Sequence, residues 1–140
     1  MIGCLRSLYV HIILLPVEQD IDRARKQIEF VLDQPFDKDR VKCIVAYSYT
    51  DETSDEPVDR PRSVSMALDD LSSEGYTTEF RELNSPPSDG IKLLAEETDV
   101  DHIVMSGRKL SPAKKIVFGS VTQIVILNMD IPVTVVGTHS

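Results

Sequence analysis

The stretch YVHIILLPVEQDIDRARKQIEFVL, residues 9–32, contains the unit from which the fold is predicted. Its first eight residues form a nearly continuous apolar run that ends at Pro16, which is typical of a β-strand buried on both faces. Asp20 then precedes residues 21–32, where apolar side chains recur at helical spacing. The stretch therefore predicts a buried strand followed by an amphipathic helix.

The same strand–helix unit recurs along the chain. Further strands are predicted over residues 41–49, 76–83, 100–105 and 131–136, with helices around 64–71, 88–97 and 120–128. Gly75 is expected to end the second helix and Ser88 to cap the third. Crossover helices join parallel strands, so this order predicts an α/β fold in which four helices flank a five-stranded parallel, doubly wound sheet. The segment 76–83 alternates in the manner of an edge strand.

Composition limits the class of protein. With 140 residues the chain is expected to form one domain, 1–140, in which residues 1–7 are an extension outside the core. A net charge of −8 disfavours nucleic acid as a partner, and the longest apolar runs are too short to span a membrane. Cys4 and Cys43 lack the spacing of a zinc site or disulfide framework, which favours a cytoplasmic protein with Cys43 as a buried thiol.

Ligands of doubly wound sheets bind beyond the carboxyl ends of the strands, where the strand order reverses. The loop SGRKLSPAKKIVFGS, residues 106–120, follows such a strand end and carries four Lys or Arg residues without an acid. Ser120 and Gln123 match a capping box, so the last helix is expected to begin at Ser120, with Gly119 leaving its free N–H groups open to an anion. A helix cap surrounded by solvated lysines explains the same residues equally well.

The chain resembles the universal stress protein family, of the archaeal or bacterial single-domain type. Members carry G-x2-G-x9-G-S/T after the fourth strand, then a helix and PV-x-VV; here Gly119-Ser120 and IPVTVV match, and nine residues separate Lys109 from Gly119. The segments IILLPVEQD and EETDVDHIVMSG are also similar to the family's first and fourth strands. The resemblance implies a three-layer, Rossmann-type sandwich of the adenine-nucleotide α-hydrolase-like kind.

The resemblance also implies an adenine nucleotide as the ligand, either AMP or ATP, with Mg²⁺ in the case of ATP. Ser106 and Lys109 replace the two strand-end glycines that approach the phosphates in nucleotide-binding members, and Glu18 replaces the aspartate that meets the ribose. The binding motif is therefore partly eroded, although Arg108, Lys109 and Lys114 offer cationic side chains instead. The candidate nucleotide-binding residues are Pro16, Val17, Glu18, Ala46, Met105, Ser106, Gly107, Arg108, Lys109, Gly119, Ser120, Val121 and Thr122.

Two functions remain open at this point. The first is a stress-response module that binds an adenine nucleotide, or another phosphate anion, at the carboxyl edge of the sheet, with at most slow ATP hydrolysis. The second is a dimeric family member that has lost the nucleotide and acts through protein contacts. Enzyme motifs are absent from the sequence, and His102 in its apolar strand is expected to be structural. A phosphoryl-accepting receiver domain is disfavoured because AYSYTDE offers no clear aspartate at its strand end. The resemblance implies a homodimer through the last strand, at Pro132, Val133, Thr134, Val135 and Val136.

Overall fold

The computed structural model describes residues 11–49, 60–84, 86–110 and 115–137. Predictions for residues 1–7, Cys4 and Lys114 concern parts of the chain outside these ranges. The strands in chain order are His11–Pro16 (β1), Val41–Ser48 (β2), Thr77–Leu83 (β3), His102–Ser106 (β4), Arg108–Leu110 (β5), Lys115–Val117 (β6) and Val133–Val136 (β7). The α-helices are Ile21–Leu32 (α1), Arg62–Ser73 (α2), Pro87–Thr98 (α3) and Ser120–Asn128 (α4), and a short 3-10 helix covers Lys38–Arg40.

The main sheet has five parallel strands in the order β3-β2-β1-β4-β7, which confirms the predicted fold class. β3 and β7 are its two edges, as the alternating pattern of β3 and the position of the last strand predict. Strand order reverses between β1 and β4, because the chain first builds outward from β1 to β3 and then crosses to the other side. The carboxyl ends of β1 and β4 are therefore where a ligand is expected.

Helices cover both faces of the sheet and make three layers. On one face, Ala24 and Ile28 of α1 and Val64 of α2 pack with the strands in one buried cluster. On the other, Ile91 of α3 and Val125 of α4 belong to a second cluster. The strands read as continuous apolar runs because both of their faces are buried between these helices.

A buried side chain supports the backbone where β1 and β4 separate. The two strands pair at Ile13 with His102 and at Leu14 with Ile103. Nearer the carboxyl end, Nε2 of the fully buried Gln27 donates to the carbonyl oxygens of Pro16, at 2.8 Å, and Val104, at 3.0 Å. Gln27 therefore bridges β1 and β4 beyond the last residues at which the two strands pair with each other.

The structure corrects the two predicted helix caps. Helix α3 begins at Pro87 after Pro86, without a side-chain cap, because proline at the first helical position has no N–H to satisfy; Ser88 lies inside the helix. Helix α4 begins at Ser120 as predicted, but its N-cap is Gly119, and the capping box does not form. Gln123 instead donates from Nε2 to the carbonyl oxygen of Phe118 at 3.1 Å.

The structure also contains an element that the sequence did not indicate. β5 and β6 form an antiparallel pair within the stretch between β4 and α4 that was predicted as a loop.

Within the described residues, no helix is long and apolar enough to cross a membrane.

Candidate functional site

A cleft of about 380 Å³ opens at the carboxyl ends of the strands, at the reversal point between β1 and β4. Its walls come from the loop after β1, the ends of β2 and β3, the first turns of α1, α3 and α4, and the end of β4. The lining residues are Pro16, Val17, Glu18, Gln19, Arg23, Tyr47, Ser48, Leu83, Pro87, Ile91, Met105, Ser106, Arg108, Gly119, Ser120, Val121 and Thr122.

The floor of the cleft holds a forked ion pair between Arg23 and Glu18. Nη1 and Nη2 of Arg23 donate to the two carboxylate oxygens of Glu18, at 3.2 and 3.0 Å, and Nη2 also lies 3.4 Å from the carbonyl oxygen of Ser106. Asp20 accepts hydrogen bonds from the N–H groups of Asp22 and Arg23 and so begins α1 at the position that directs Arg23 toward this edge.

One side of the cleft is formed by the first turn of α4. The N–H groups at the start of a helix have no intrahelical acceptors, and the helix dipole favours an anion there. At the N-cap, Gly119 is extended, and within the part of the chain that the structure describes a Cβ built on it has no heavy atom within 4 Å apart from its chain neighbours. The protein therefore leaves open the space in front of this helix terminus.

The opposite side, at the end of β4, is more closed. The N–H of Gly107 donates to the carbonyl oxygen of Val136 at 2.8 Å, which continues the pairing of β4 with β7. That N–H is consequently engaged within the sheet. Arg108 follows at the surface and lines the cleft, while the side chain of Lys109 lies outside the described part of the chain.

The structure brings most of the sequence-predicted residues to this cleft. Ala46 is the clear departure: it is fully buried in the sheet, and its carbonyl oxygen accepts from the N–H of Val17 at 2.9 Å. Ala46 therefore lies behind the wall of the cleft and does not line it. Gly107 is also buried and is not among the lining residues. The predicted residues that line the cleft are Pro16, Val17, Glu18, Met105, Ser106, Arg108, Gly119, Ser120, Val121 and Thr122.

Arg23 is the main site residue that sequence reasoning missed. The helical pattern of α1 assigns it to a polar, solvated face, yet only 13% of its side chain is exposed. Its spacing of five residues from Glu18, across the Asp20 cap, was the available signal. Tyr47 and Ser48, at the end of β2, were also missed.

His102 and Cys43 lie outside the cleft, as expected for structural residues. Nε2 of His102 is 2.7 Å from Oγ1 of Thr134, and burial, followed by the charge of His11, lowers the pKa of His102. Cys43 is fully buried, which raises the pKa of its thiol to about 12. The described residues contain no group of three or more His, Cys, Asp or Glu side chains suited to a metal ion.

Comparison with known proteins identifies the family. The family model described as "Universal stress protein family" matches residues 12–137, which run from the second residue of β1 to just after β7. The chain belongs to the universal stress protein family. No curated protein matches the chain by sequence.

Solved universal stress proteins share the architecture. A universal stress protein from Archaeoglobus fulgidus is 30% identical, with 90% of this chain and 98% of that chain aligned and a TM-score of 0.74. A structure described as the universal stress protein from Archaeoglobus fulgidus in complex with dAMP is 27% identical, with 92% and 98% aligned and a TM-score of 0.68. A family protein from Arabidopsis thaliana with AMP bound is 11% identical, with 93% of each chain aligned and a TM-score of 0.66, and shows the fold alone.

Proposed function

We propose that this universal stress protein binds an adenine nucleotide in the cleft, with AMP as the best-fitting form. The observation that carries the proposal is the open space at Gly119, directly before the first turn of α4. A phosphate there meets unpaired backbone N–H groups and the positive end of the helix dipole. The cleft volume of about 380 Å³ falls within the range of small-ligand sites, roughly 300–1,000 Å³.

The charge at the cleft supports an anionic ligand. Its described lining carries two guanidinium groups, from Arg23 and Arg108, against the carboxylate of Glu18, in a chain whose net charge is −8. A local positive balance on an acidic protein favours a bound phosphate over the surrounding surface. Val17 and Glu18 are the residues proposed to face the base and the ribose, and the dAMP complex of the 27% identical relative supports this class of ligand.

The closed strand end favours one phosphate over three. The engaged N–H of Gly107 removes a donor that a longer phosphate chain would use on the β4 side, so the donors proposed for phosphate lie mainly on α4 and Arg108. If ATP binds, its Mg²⁺ would be held by phosphate oxygens and water, because the described lining offers the carboxylate of Glu18 and no second acid.

The proposal is binding without strong catalysis. Among the described lining residues there is no His or Cys, and Glu18 is paired with Arg23, so no group is placed as a free general base. The proposed role in a stress response therefore rests on occupancy of the cleft rather than on turnover.

Thermal unfolding and titration calorimetry test this function. AMP, ATP with and without Mg²⁺, and inorganic phosphate are compared, and AMP at 100 times its Kd is expected to stabilise the fold by about 2.7 kcal/mol. The absence of heat and of any shift with millimolar AMP and ATP would overturn the proposal and favour a family member that acts through protein contacts. If inorganic phosphate binds as tightly as AMP, the cleft recognises an anion and not the nucleoside.

We also propose a homodimer through the edge strand β7. Its residues Val133–Val136 are half-buried, and within the described sheet β7 pairs with β4 alone. The preceding helix α4 exposes Ile124, Ile126 and especially Leu127, whose exposed fraction is 81%. Sedimentation equilibrium is expected to give twice the mass of one chain, and Leu127→Glu is expected to weaken the association; a monomer at all concentrations would contradict the proposal.

A further inference from the structure

Two histidines meet at the end of the sheet opposite the cleft. His11 begins β1 and His102 begins β4, and their ring centroids lie 6.0 Å apart with 66° between the ring planes. The ring of Phe36 lies 5.7 Å from that of His11, and Phe30 of α1 lies 6.3 Å from His102, nearly perpendicular to it. The two imidazoles are therefore packed against each other between two phenylalanine rings.

His102 also connects β4 to the edge strand β7. Its Nε2 lies 2.7 Å from Oγ1 of Thr134, so the two side chains share a hydrogen bond. Thr134 is the second residue of β7, which is only four residues long and pairs with β4 alone within the described sheet. One side-chain hydrogen bond is a substantial addition to so short a pairing.

The other edge strand, β3, is held by different chemistry. It is seven residues long, and its Glu79 is paired with Lys42 of the neighbouring strand β2. The hydrogen bond from Lys42 holds the pKa of Glu79 below its usual range. Between about pH 5 and about pH 8 a histidine changes charge, whereas a lysine and such a glutamate do not. Only the β7 edge is therefore held by a group that titrates in this range among the described contacts.

The charged groups on the elements around the histidines are engaged with other partners. Asp101, directly before β4, accepts from the N–H of Ile12 at 2.8 Å. On α1, Glu29 is paired with Lys26 at 3.4 Å, and Asp37 caps the short 3-10 helix. The four residues of β7 carry no charge. The titratable group that acts on His102 is consequently the second imidazole, that of His11.

A positive charge on His102 is unfavourable while the ring stays in contact with Thr134. Burial, followed by the charge of His11, lowers the pKa of His102. A base whose pKa is lowered by its folded surroundings stabilises them above its ordinary value of 6.5, and this stabilisation is lost as the pH falls. A charged ring that turns toward water regains hydration and moves away from His11, but it must leave Thr134.

We propose that His11 and His102 form an acid-sensitive latch on β7: protonation within the pair turns His102 away from Thr134 and loosens the strand through which the chain is proposed to dimerise. The latch is a property of one chain and needs no partner. Its effect on association rests on the proposed homodimer, because an edge strand must be ordered before a second copy can pair with it. Acid therefore weakens the dimer.

Amide hydrogen exchange tests the latch, followed by NMR at about pH 7.5 and about pH 5.5 and corrected for the intrinsic exchange rate at each pH. Protection of the β7 amides is expected to fall about fivefold in acid, the scale of one lost hydrogen bond, while the β3 amides keep theirs. His102→Gln is expected to abolish the fall, because glutamine is neutral at both pH values. Thr134→Val, which loses only the hydroxyl contact, is expected to give low protection at both.

His139→Gln, at the remaining histidine of the chain, is the matched control and is expected to behave as the wild type. An equal fall at β3 means that acid loosens the whole sheet and overturns the latch. A fall that persists in His102→Gln, or one that disappears in His139→Gln, also overturns it. Should His102→Gln fail to fold, a full fall in Thr134→Val rejects the proposal.

Sedimentation equilibrium at the same two pH values follows the effect on association. The dissociation constant of the wild-type dimer is expected to rise about fivefold in acid, in step with the loss of protection, and to stay constant in His102→Gln. A dissociation constant that does not change with pH overturns the link between the latch and the dimer. A wild-type monomer at both pH values overturns the homodimer itself, whereas the exchange at β7 still decides the latch.

Discussion

Two glycines stand at the starts of the two helices on the same face of the sheet, and they differ in what surrounds them. Gly90 lies in the first turn of α3, where a Cβ would be 2.5 Å from the carbonyl oxygen of Asn84 and 2.9 Å from its nitrogen. For Gly119, at the N-cap of α4, no described residue other than its chain neighbours has a heavy atom within 4 Å of the same position. The backbone of the protein itself requires the first glycine, whereas only a ligand would require the second.

The two glycines therefore have different roles: Gly90 is required for the packing of the fold, and Gly119 is expected to be required only for ligand binding. Backbone atoms cannot move away from a new Cβ as a flexible side chain can, so crowding at Gly90 must shift α3 or the loop after β3. Gly119 is extended, with φ of −71° and ψ of 170°, a conformation that alanine adopts freely. Alanine at each position therefore measures a different property of the molecule.

The largest effect is expected for Gly90→Ala. Alanine gains about 1 kcal/mol of helix propensity over glycine, but the clash with Asn84 is expected to outweigh this gain and leave a net loss of about 2 kcal/mol. Urea unfolding followed by circular dichroism measures the change. A variant as stable as the wild type would remove the basis of the comparison, because Gly90 would then not be required by packing.

Gly119→Ala is expected to change binding and not stability. The free energy of unfolding is expected to stay within about 0.5 kcal/mol of the wild type, as for surface substitutions. Affinity for AMP is expected to fall about tenfold, or about 1.4 kcal/mol, since the new methyl group occupies the approach to the helix N–H groups. Calorimetry on the folded variant decides; unchanged affinity would place the phosphate elsewhere.

Gly75→Ala isolates backbone strain from crowding. Gly75 has φ of +101° after α2, and the nearest atom to an added Cβ is Cδ of Lys38 at the ordinary distance of 3.5 Å. Alanine there is expected to lose about 1 kcal/mol, all of it from the left-handed backbone. If Gly75→Ala is more destabilising than Gly90→Ala in the same urea experiment, strain and not crowding dominates at this protein's glycines.

The smallest effect is a pH dependence of stability that the Gly90→Ala and Gly119→Ala variants should both share with the wild type. Burial lowers the pKa of His102 in the folded state, so its contribution to stability is present above its ordinary value of 6.5 and is lost as the pH falls below it. Between about pH 7 and about pH 5 the free energy of unfolding is expected to decrease, and less so in His102→Gln.

His102 begins β4 at the end of the sheet away from Gly90 and Gly119, so Gly90→Ala and Gly119→Ala should give pH profiles parallel to that of the wild type. Profiles of different slope would mean that a substitution at the cleft is coupled to the opposite end of the sheet.

The fold was predictable because its signals are local. Buried runs such as HIILLP and the helical spacing of residues 21–32 appear directly in the sequence, and alternating strands and helices allow few topologies. The caps were less predictable: Ser88 and Ser120 have suitable side chains, but Pro86-Pro87 and Gly119 determined where the helices begin. Several backbone arrangements satisfy the same four N–H groups at a helix start, and tertiary contacts choose among them.

The sequence by itself determined the parallel sheet, the edge at which a ligand is expected, and Glu18 and Gly119-Ser120 as candidates there. Only the tertiary structure decided that Arg23 turns inward to Glu18, that Ala46 supports the wall from behind, and that the N–H of Gly107 pairs with Val136. The spacing of apolar residues shows which face of a helix or strand is buried, because the hydrophobic effect favours burial of that face along the whole length of the element. Which polar groups form hydrogen bonds depends on the relative positions of segments that are distant in sequence, and these positions are set only when the sheet has formed.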